Sequence, residues 1–177
     1  MTAGSGEMSD TGLQHLAGGE ERAVSVADRL AIQELMACYA HYVDNGLGDA
    51  WASTFTPDGV LEYHDIPVRG RDELAAFAAQ DLGVFPTHFV GNSIMVQVAP
   101  DRVHARSMVI VAARSKTPAP VEFEGLTIDA PTTTLGVGIY DDQIVKTDHG
   151  WRFQLRKAGS TGVAEVHPDF LPTGIAG

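Results

Sequence analysis

The residues best suited to acid–base chemistry lie in two short stretches, "HYVDNG" at 41–46 and "PTHFVGNSIMVQV" at 86–98. As a β-strand, the second sends His88, Val90, Asn92, Ile94, Val96 and Val98 to one face, and Thr87, Phe89, Gly91, Ser93, Met95 and Gln97 to the other, because side chains alternate with a period of two. The more apolar face therefore carries an imidazole and an amide. Free imidazole titrates at about pH 6.5, so an inward histidine can take a proton from a substrate at neutral pH. Asn92 lies four residues further on, roughly 13 Å along an extended strand. That is too far to act on the same substrate atom. Two roles stay open for it: satisfying buried backbone groups, or meeting the far end of a ligand.

A partner for His88 is available in Asp44. The stretch "SVADRLAIQELMACYAHYVDNG" predicts a helix, with Ser25 or Asp28 to cap its start and Gly46 to end it. Ile32, Leu35, Met36, Tyr39 and Val43 recur at helical spacing and form its apolar face. At 100° per residue Asp44 sits about 120° from the centre of that face, on the flank. An aspartate in a last turn opposes the helix dipole at a cost of about 0.3–1 kcal/mol, so a partner elsewhere is one reason for it to be there. Simple turn chemistry in "DNG" is the other.

The elements that must position these residues follow from the patterning. A short helix fits "GDAWASTF", a strand "DGVLEYHD", a short extended piece "IPVRG" and a third helix "RDELAAFAAQDLG". Three long strands follow the one that carries His88: "DRVHARSMVIVAA", pairing back across the "VAPD" turn, then "PTTTLGVGIYDDQIVK" and "HGWRFQLRKAG". Helices followed by consecutive antiparallel strands indicate an α+β fold. A curved antiparallel sheet wrapped over the long helix would enclose a cone, with Gly91, Gly136 and Gly138 as places to bend. Residues 1–22 are rich in Gly, Ser and Thr and are expected to form a disordered leader. Residues 23–160 are the folded domain, and 161–177 a C-terminal tail. That tail carries Val163, Val166, Phe170, Leu171 and Ile175, enough apolar anchors to serve as a lid over a pocket.

Composition narrows the partners. Twelve Lys and Arg against 23 Asp and Glu give a net charge of −11, which disfavours nucleic acid and anionic membrane surfaces. There is no run of about 18 apolar residues and no basic-then-apolar opening, the first arginine being Arg22, so the expected location is cytoplasmic. The single Cys38 excludes an internal disulfide and multi-cysteine metal sites. The histidines lack metal-ligand spacing, and "GVG" at 136–138 precedes no helix that could hold a phosphate. Chemistry without a cofactor is the simplest reading.

From about Asp28 to Arg156 the chain resembles the SnoaL-like superfamily of cone-shaped α+β barrels. Within it, the chain is similar to scytalone dehydratase, hexachlorocyclohexane dehydrochlorinase and bacterial bile-acid 7α-dehydratase. The likeness rests on "DRLAIQELMACYAHYVDNGLGDAWASTFTPDGVLEY", "THFVGN" and "GIYDDQIVKTDHGWRF". It implies that His88 and Asp44 form a catalytic dyad and that Tyr63 matches a tyrosine which polarises the substrate. In such a dyad the carboxylate fixes the tautomer of the imidazole and stabilises its charged form. Two positions depart from the pattern. Ala113 stands where scytalone dehydratase has a second pocket histidine, and Tyr39 where the dehydrochlorinase has a lysine. Tyr39 is a candidate pocket hydroxyl or a core aromatic. Arg156, on the face opposite Trp151, Phe153 and Leu155, is a surface arginine or a ligand for a substrate anion.

The resemblance thus implies a cofactor-independent lyase of dehydratase type, acting on a small cyclic polyketide, terpenoid or steroid-like molecule. An isomerase or cyclase using the same proton abstraction is one alternative, and a non-catalytic binding module another. A homo-oligomer is expected, a trimer as in the dehydratases or else a dimer, with Phe89, Met95, Met108 and Ile110 on an outward face too apolar for water.

Overall fold

The computed structural model describes residues 22–123, 125–160 and Phe170. Helix α1 runs Val26–Asp44 and is capped by Ser25, whose Oγ accepts the Asp28 N–H at 3.1 Å. It buries Ile32, Leu35, Met36, Tyr39 and Ala40 and ends where Gly46 takes φ +65°, a conformation glycine enters without steric cost. Helix α2 (Gly48–Ala52), strands β1 (Phe55–Tyr63) and β2 (Ile66–Arg69), and helix α3 (Gly70–Ala78) follow. His64 and Asp65 join β1 to β2 with φ of 49° and 65°, the pair of left-handed residues that a two-residue hairpin of the tightest kind requires.

Strands β3 (Val84–Ala99), β4 (Arg102–Ser115), β5 (Ala119–Phe123), β6 (Leu126–Ala130), β7 (Thr133–Thr147) and β8 (Gly150–Ser160) complete the described elements. Six strands form one curved sheet in the order β2-β1-β8-β7-β4-β3, with β1 and β8 parallel and every other neighbour antiparallel. β5 and β6 make a separate hairpin. It falls in a proline-punctuated stretch for which the sequence patterning predicts no element, because five-residue strands carry little alternation to read.

Two irregularities reset which side chains face the concave side. Between β3 and β4 the register shifts between Gly91 and Ile94, and Asn92 takes φ 50°, a left-handed conformation that asparagine tolerates better than most residues. This is a β-bulge, one extra residue that reverses the parity of the strand beyond it. The bend expected at Gly91 belongs to its neighbour. His88 and Val90 face inward as expected, opposite Val111 and Val109. Past the bulge the expectation breaks down: Val96 is buried, but Ile94 and Val98 are exposed, while Met95, expected outside, is buried opposite Ala105. A second shift lies between β7 and β8, where Gln143 and Ile144 face Leu155 and Phe153. Trp151 and Phe153 point inward before it, and Arg156 and Ala158 after it.

The core is aromatic. Tyr39 of α1 meets the rings of Trp51, Phe55, Tyr140 and Phe153 at centroid distances of 5.1, 6.0, 5.9 and 5.7 Å. These contacts lock the middle of α1 across the sheet, leaving its last turn beside the start of β3. The leader and tail predictions fall outside the described residues, apart from Phe170, which is buried. No described helix is long and apolar enough to cross a membrane.

Candidate active site

β3 is an edge strand of the sheet, and the last turn of α1 lies against it. The edge would leave the N–H of His88 unpaired. Asp44 fills that gap: its Oδ2 accepts the His88 backbone N–H at 2.8 Å, while its Oδ1 lies 2.5 Å from His88 Nδ1. One carboxylate therefore fixes both the backbone and the ring of one residue. An ionised carboxylate only accepts, so Nδ1 carries the hydrogen and donates. Nε2 is left as the basic nitrogen, with no hydrogen-bond partner among the described residues. The His88 and Asp44 side chains are 15% and 16% exposed, sheltered enough to strengthen the interaction and open enough to meet a substrate.

The dyad borders a half-open groove of about 460 Å³ lined by Ala40, His41, Asp44, Asn45, Pro86, Thr87, His88 and Phe89, with Thr87 and Phe89 on the exposed side of β3. Its walls come from the end of α1 and the start of β3. Beside it, β4 presents Val111 opposite His88 and Ala113 opposite Pro86, so the sheet supplies no second imidazole there. Among the described residues no three His, Cys, Asp or Glu side chains gather as a metal site.

The remaining candidates divide. Tyr63 keeps the inward parity of Leu61 and pairs with Ala158, but it ends β1 and is 45% exposed, its ring against His64 and Phe77. It does not line the cavity of the dyad. Asn92 is not a pocket amide: the bulge turns it outward, where its Nδ2 donates to Met108 Sδ at 3.4 Å. The question of why an amide sits in that strand is answered by its backbone.

Arg156 is not a surface residue. The β8 bulge turns it inward, where it is wholly buried. Its Nε and Nη2 donate to Asp142 Oδ1 and Oδ2 at 2.8 and 2.7 Å. Its guanidinium carbon lies 4.1, 4.2 and 4.0 Å from the ring centres of Tyr39, Tyr140 and Phe153. Burial pushes the Asp142 carboxyl up, and the Arg156 charge pulls it part of the way back. Burial likewise works against the Arg156 charge, but Asp142 outweighs it and holds the guanidinium protonated. Tyr39 is buried within this cluster. Desolvation pushes its phenol up despite Arg156, so its hydroxyl stays neutral. Of the three residues expected to bind substrate, Asn92 is outside and Tyr39 and Arg156 are packed in the core. Sequence parity misses the Asp142 partnership because the residue reads as one half of an ordinary "DD" pair.

Comparison with known proteins places this geometry. Residues 24–157 match the SnoaL-like domain family. Uncharacterized proteins of Mycobacterium tuberculosis and Mycobacterium bovis are 32% identical over 140 residues, covering 74% of this chain and 84% of theirs. Among solved structures, a function-unknown protein of Mycobacterium tuberculosis superposes with a TM-score of 0.63 at 24% identity, covering 81% of this chain and 82% of its own. A candidate scytalone dehydratase of Novosphingobium aromaticivorans gives 0.64 at 22%, with 86% and 97% covered. An NTF2-like protein of cystatin-like fold from the same organism gives 0.59 at 20%, with 79% and 86% covered. These structural likenesses establish the cone-shaped fold, and the match across most of the chain establishes more: this protein belongs to the SnoaL-like domain family.

Proposed function

We propose that this protein is a cofactor-independent lyase of dehydratase type, in which His88 removes an acidic C–H proton from a small cyclic substrate and Asp44 orients and stabilises the imidazole. The reading draws on a family that includes polyketide cyclases and dehydratases. One observation carries it. Asp44 grips both the backbone N–H and the ring Nδ1 of His88, leaving Nε2 without a hydrogen-bond partner among the described residues, and both residues border the groove. Substrate carbon acids next to a carbonyl suit such a base, because the charge that develops on oxygen can be met by a hydroxyl. Tyr63, on the inward side of β1, is the hydroxyl we assign to that role.

A second reading has its own support. Isomerisation or cyclisation needs the base but no acid for a leaving group, and Ala113 on β4 offers none. Both readings share the first step, so that step is the one to test. In heavy water the protein should exchange the α-protons of α-tetralone, a cyclic aryl ketone. His88→Ala and Asp44→Asn should lower the exchange by about 10²–10⁴-fold while the fold survives. Exchange unaffected in both variants would leave a binding module, not an enzyme.

We also propose that the outer sheet face joins copies of the chain, as a trimer or else a dimer. Phe89, Ile110 and Val137 stand side by side across β3, β4 and β7 and are 61%, 44% and 52% exposed, with Met108 adjoining them. Met95, now in the core, takes no part.

A further inference from the structure

Dehydration needs two proton transfers: one from carbon, and one to the departing hydroxyl. His88 accounts for the first. The inward rows of β4 and β7 beside it hold Val111, Ala113, Gly136 and Thr134, none of which is an acid at neutral pH. The cavity on which the dyad opens, however, has a second histidine in its wall, His41. We propose that His41 is the acid that protonates the leaving group. This assignment rests on the lyase reading above.

Sequence spacing alone puts His41 on the side of α1 away from its apolar stripe, a solvent position. The structure leaves His41 exposed and sets it at the edge of the groove. Because β3 is an edge strand, no further strand covers the outer side of the dyad, and the last turn of α1 and residues 86–89 flank a half-open groove. His41 lies three residues before Asp44, a spacing that makes the two neighbours on the helix surface, about 5–6 Å apart at Cβ. The ring of His41 makes no hydrogen bond among the described residues. Asn45 Nδ2 instead holds the His41 carbonyl oxygen at 2.7 Å, fixing this turn. The groove thus has His88 in its β3 wall and His41 in its α1 wall, where Asp44, also of α1, is bonded to His88.

The step balances without any further reagent. Nε2 of His88 takes the proton from the carbon next to the carbonyl. That electron pair forms the new C=C bond, and the C–O bond one carbon further on breaks. The departing oxygen takes a proton from the His41 imidazolium and leaves as water. His88 is then charged and His41 neutral. Both reset by exchange with solvent through the open side of the cavity, His41 being exposed.

The test compares two leaving groups. The probe is the β-hydroxy derivative of α-tetralone, which loses water to give α-naphthol, together with its acetate ester, whose leaving group needs no proton. His41→Gln should lower dehydration by about 10²–10⁴-fold, the usual scale of one acid–base group, and lower acetate elimination far less. Dehydration at the wild-type rate would overturn the assignment. So would a parallel loss of exchange and both eliminations, which would make His41 a support for the dyad only. A measurement independent of turnover follows the histidine ring signals by NMR as α-tetralone is added. Those of both His41 and His88 should shift, and movement of His88 alone would also overturn the proposal. If the wild type neither binds nor exchanges these ketones, the lyase reading itself falls and takes this assignment with it. That pattern is distinct from one in which His88-dependent exchange survives and His41 is silent.

Discussion

Asp44 meets the ring and backbone nitrogens of His88 at 2.5 and 2.8 Å, and Asp142 meets two nitrogens of Arg156 at 2.7 and 2.8 Å. The contacts are alike, and the surroundings are not. The Asp142–Arg156 pair is wholly buried, with three aromatic rings around its guanidinium and Nη1 left without a hydrogen-bond partner. The Asp44–His88 pair is part-exposed beside a cavity. A bidentate arginine with both partners dry cannot titrate or move at low cost, so it serves to specify how β7, β8 and α1 pack. A histidine held by one nitrogen only keeps the other for a substrate. The burial around each pair separates scaffold from chemistry.

The first way to break this comparison is to remove one partner from each pair. Arg156→Met should cost stability on the scale of about 3–5 kcal/mol, because Asp142 is left buried and uncompensated. Urea unfolding would measure it, and adding Asp142→Leu to the same chain should restore most of the loss. If Arg156→Met were as stable as the wild type, the buried pair would have no structural role to contrast with the dyad. His88→Ala and Asp44→Asn should do the opposite. They should lower α-proton exchange by about 10²–10⁴-fold and leave the unfolding midpoint close to that of the wild type.

The same contrast explains what the sequence made legible. Helix α1, its cap at Ser25 and the inward parity of His88 follow from local patterning, because no irregularity intervenes before them. Asn92 and Arg156 each lie at or just beyond a one-residue insertion, and period-two reading puts both on the wrong face. A bulge leaves almost no mark in a list of apolar and polar residues. The clue in β3 was the asparagine itself, a residue suited to a left-handed backbone. β8 has no such clue, since the extra residue near Gln154 has no left-handed φ. The dyad was legible through its family likeness. The cavity wall that brings in His41 was not, because it depends on which strand forms the edge of the sheet.

Asn92 offers the next test. Asn92→Val puts a β-branched residue at φ 50° and should cost on the order of 1–3 kcal/mol, while Asn92→Gly should be close to neutral. A bulge that tolerates valine would mean that β3 slips its register. The inward parity of Met95 would then change, which tryptic mapping or NMR contacts to Ala105 would reveal. On the outer face, Ile110→Glu should shift the sedimentation of the protein toward monomer and leave the exchange activity intact. Unchanged sedimentation of an assembled protein would move the interface elsewhere.

The smallest expected effect concerns a third carboxylate, which lies between the two extremes. Asp28 accepts from Lys146 Nζ at 2.8 Å, Trp151 Nε1 at 2.9 Å and Ser25 Oγ at 2.8 Å, pinning the start of α1 to the β7–β8 hairpin. The hydrogen bond from Lys146, followed by those from Trp151 and Ser25, holds its pKa at about 2 against an ordinary value of 3.8. A carboxylate lowered on folding adds stability that is complete above its unfolded pKa and is lost as the pH falls through the folded one. The contribution of Asp28 should therefore be full above about pH 4 and fade down to about pH 2. The urea midpoints of the wild type and Asp28→Asn, compared from neutral pH downward, isolate this group from the other carboxylates that titrate in the same range. The gap between the two proteins should stay constant to about pH 4 and then close. A gap that persists unchanged to pH 2 would mean that Asp28 acts through uncharged hydrogen bonds alone. It would then belong with the packing of the buried pair, not with groups whose charge the fold uses.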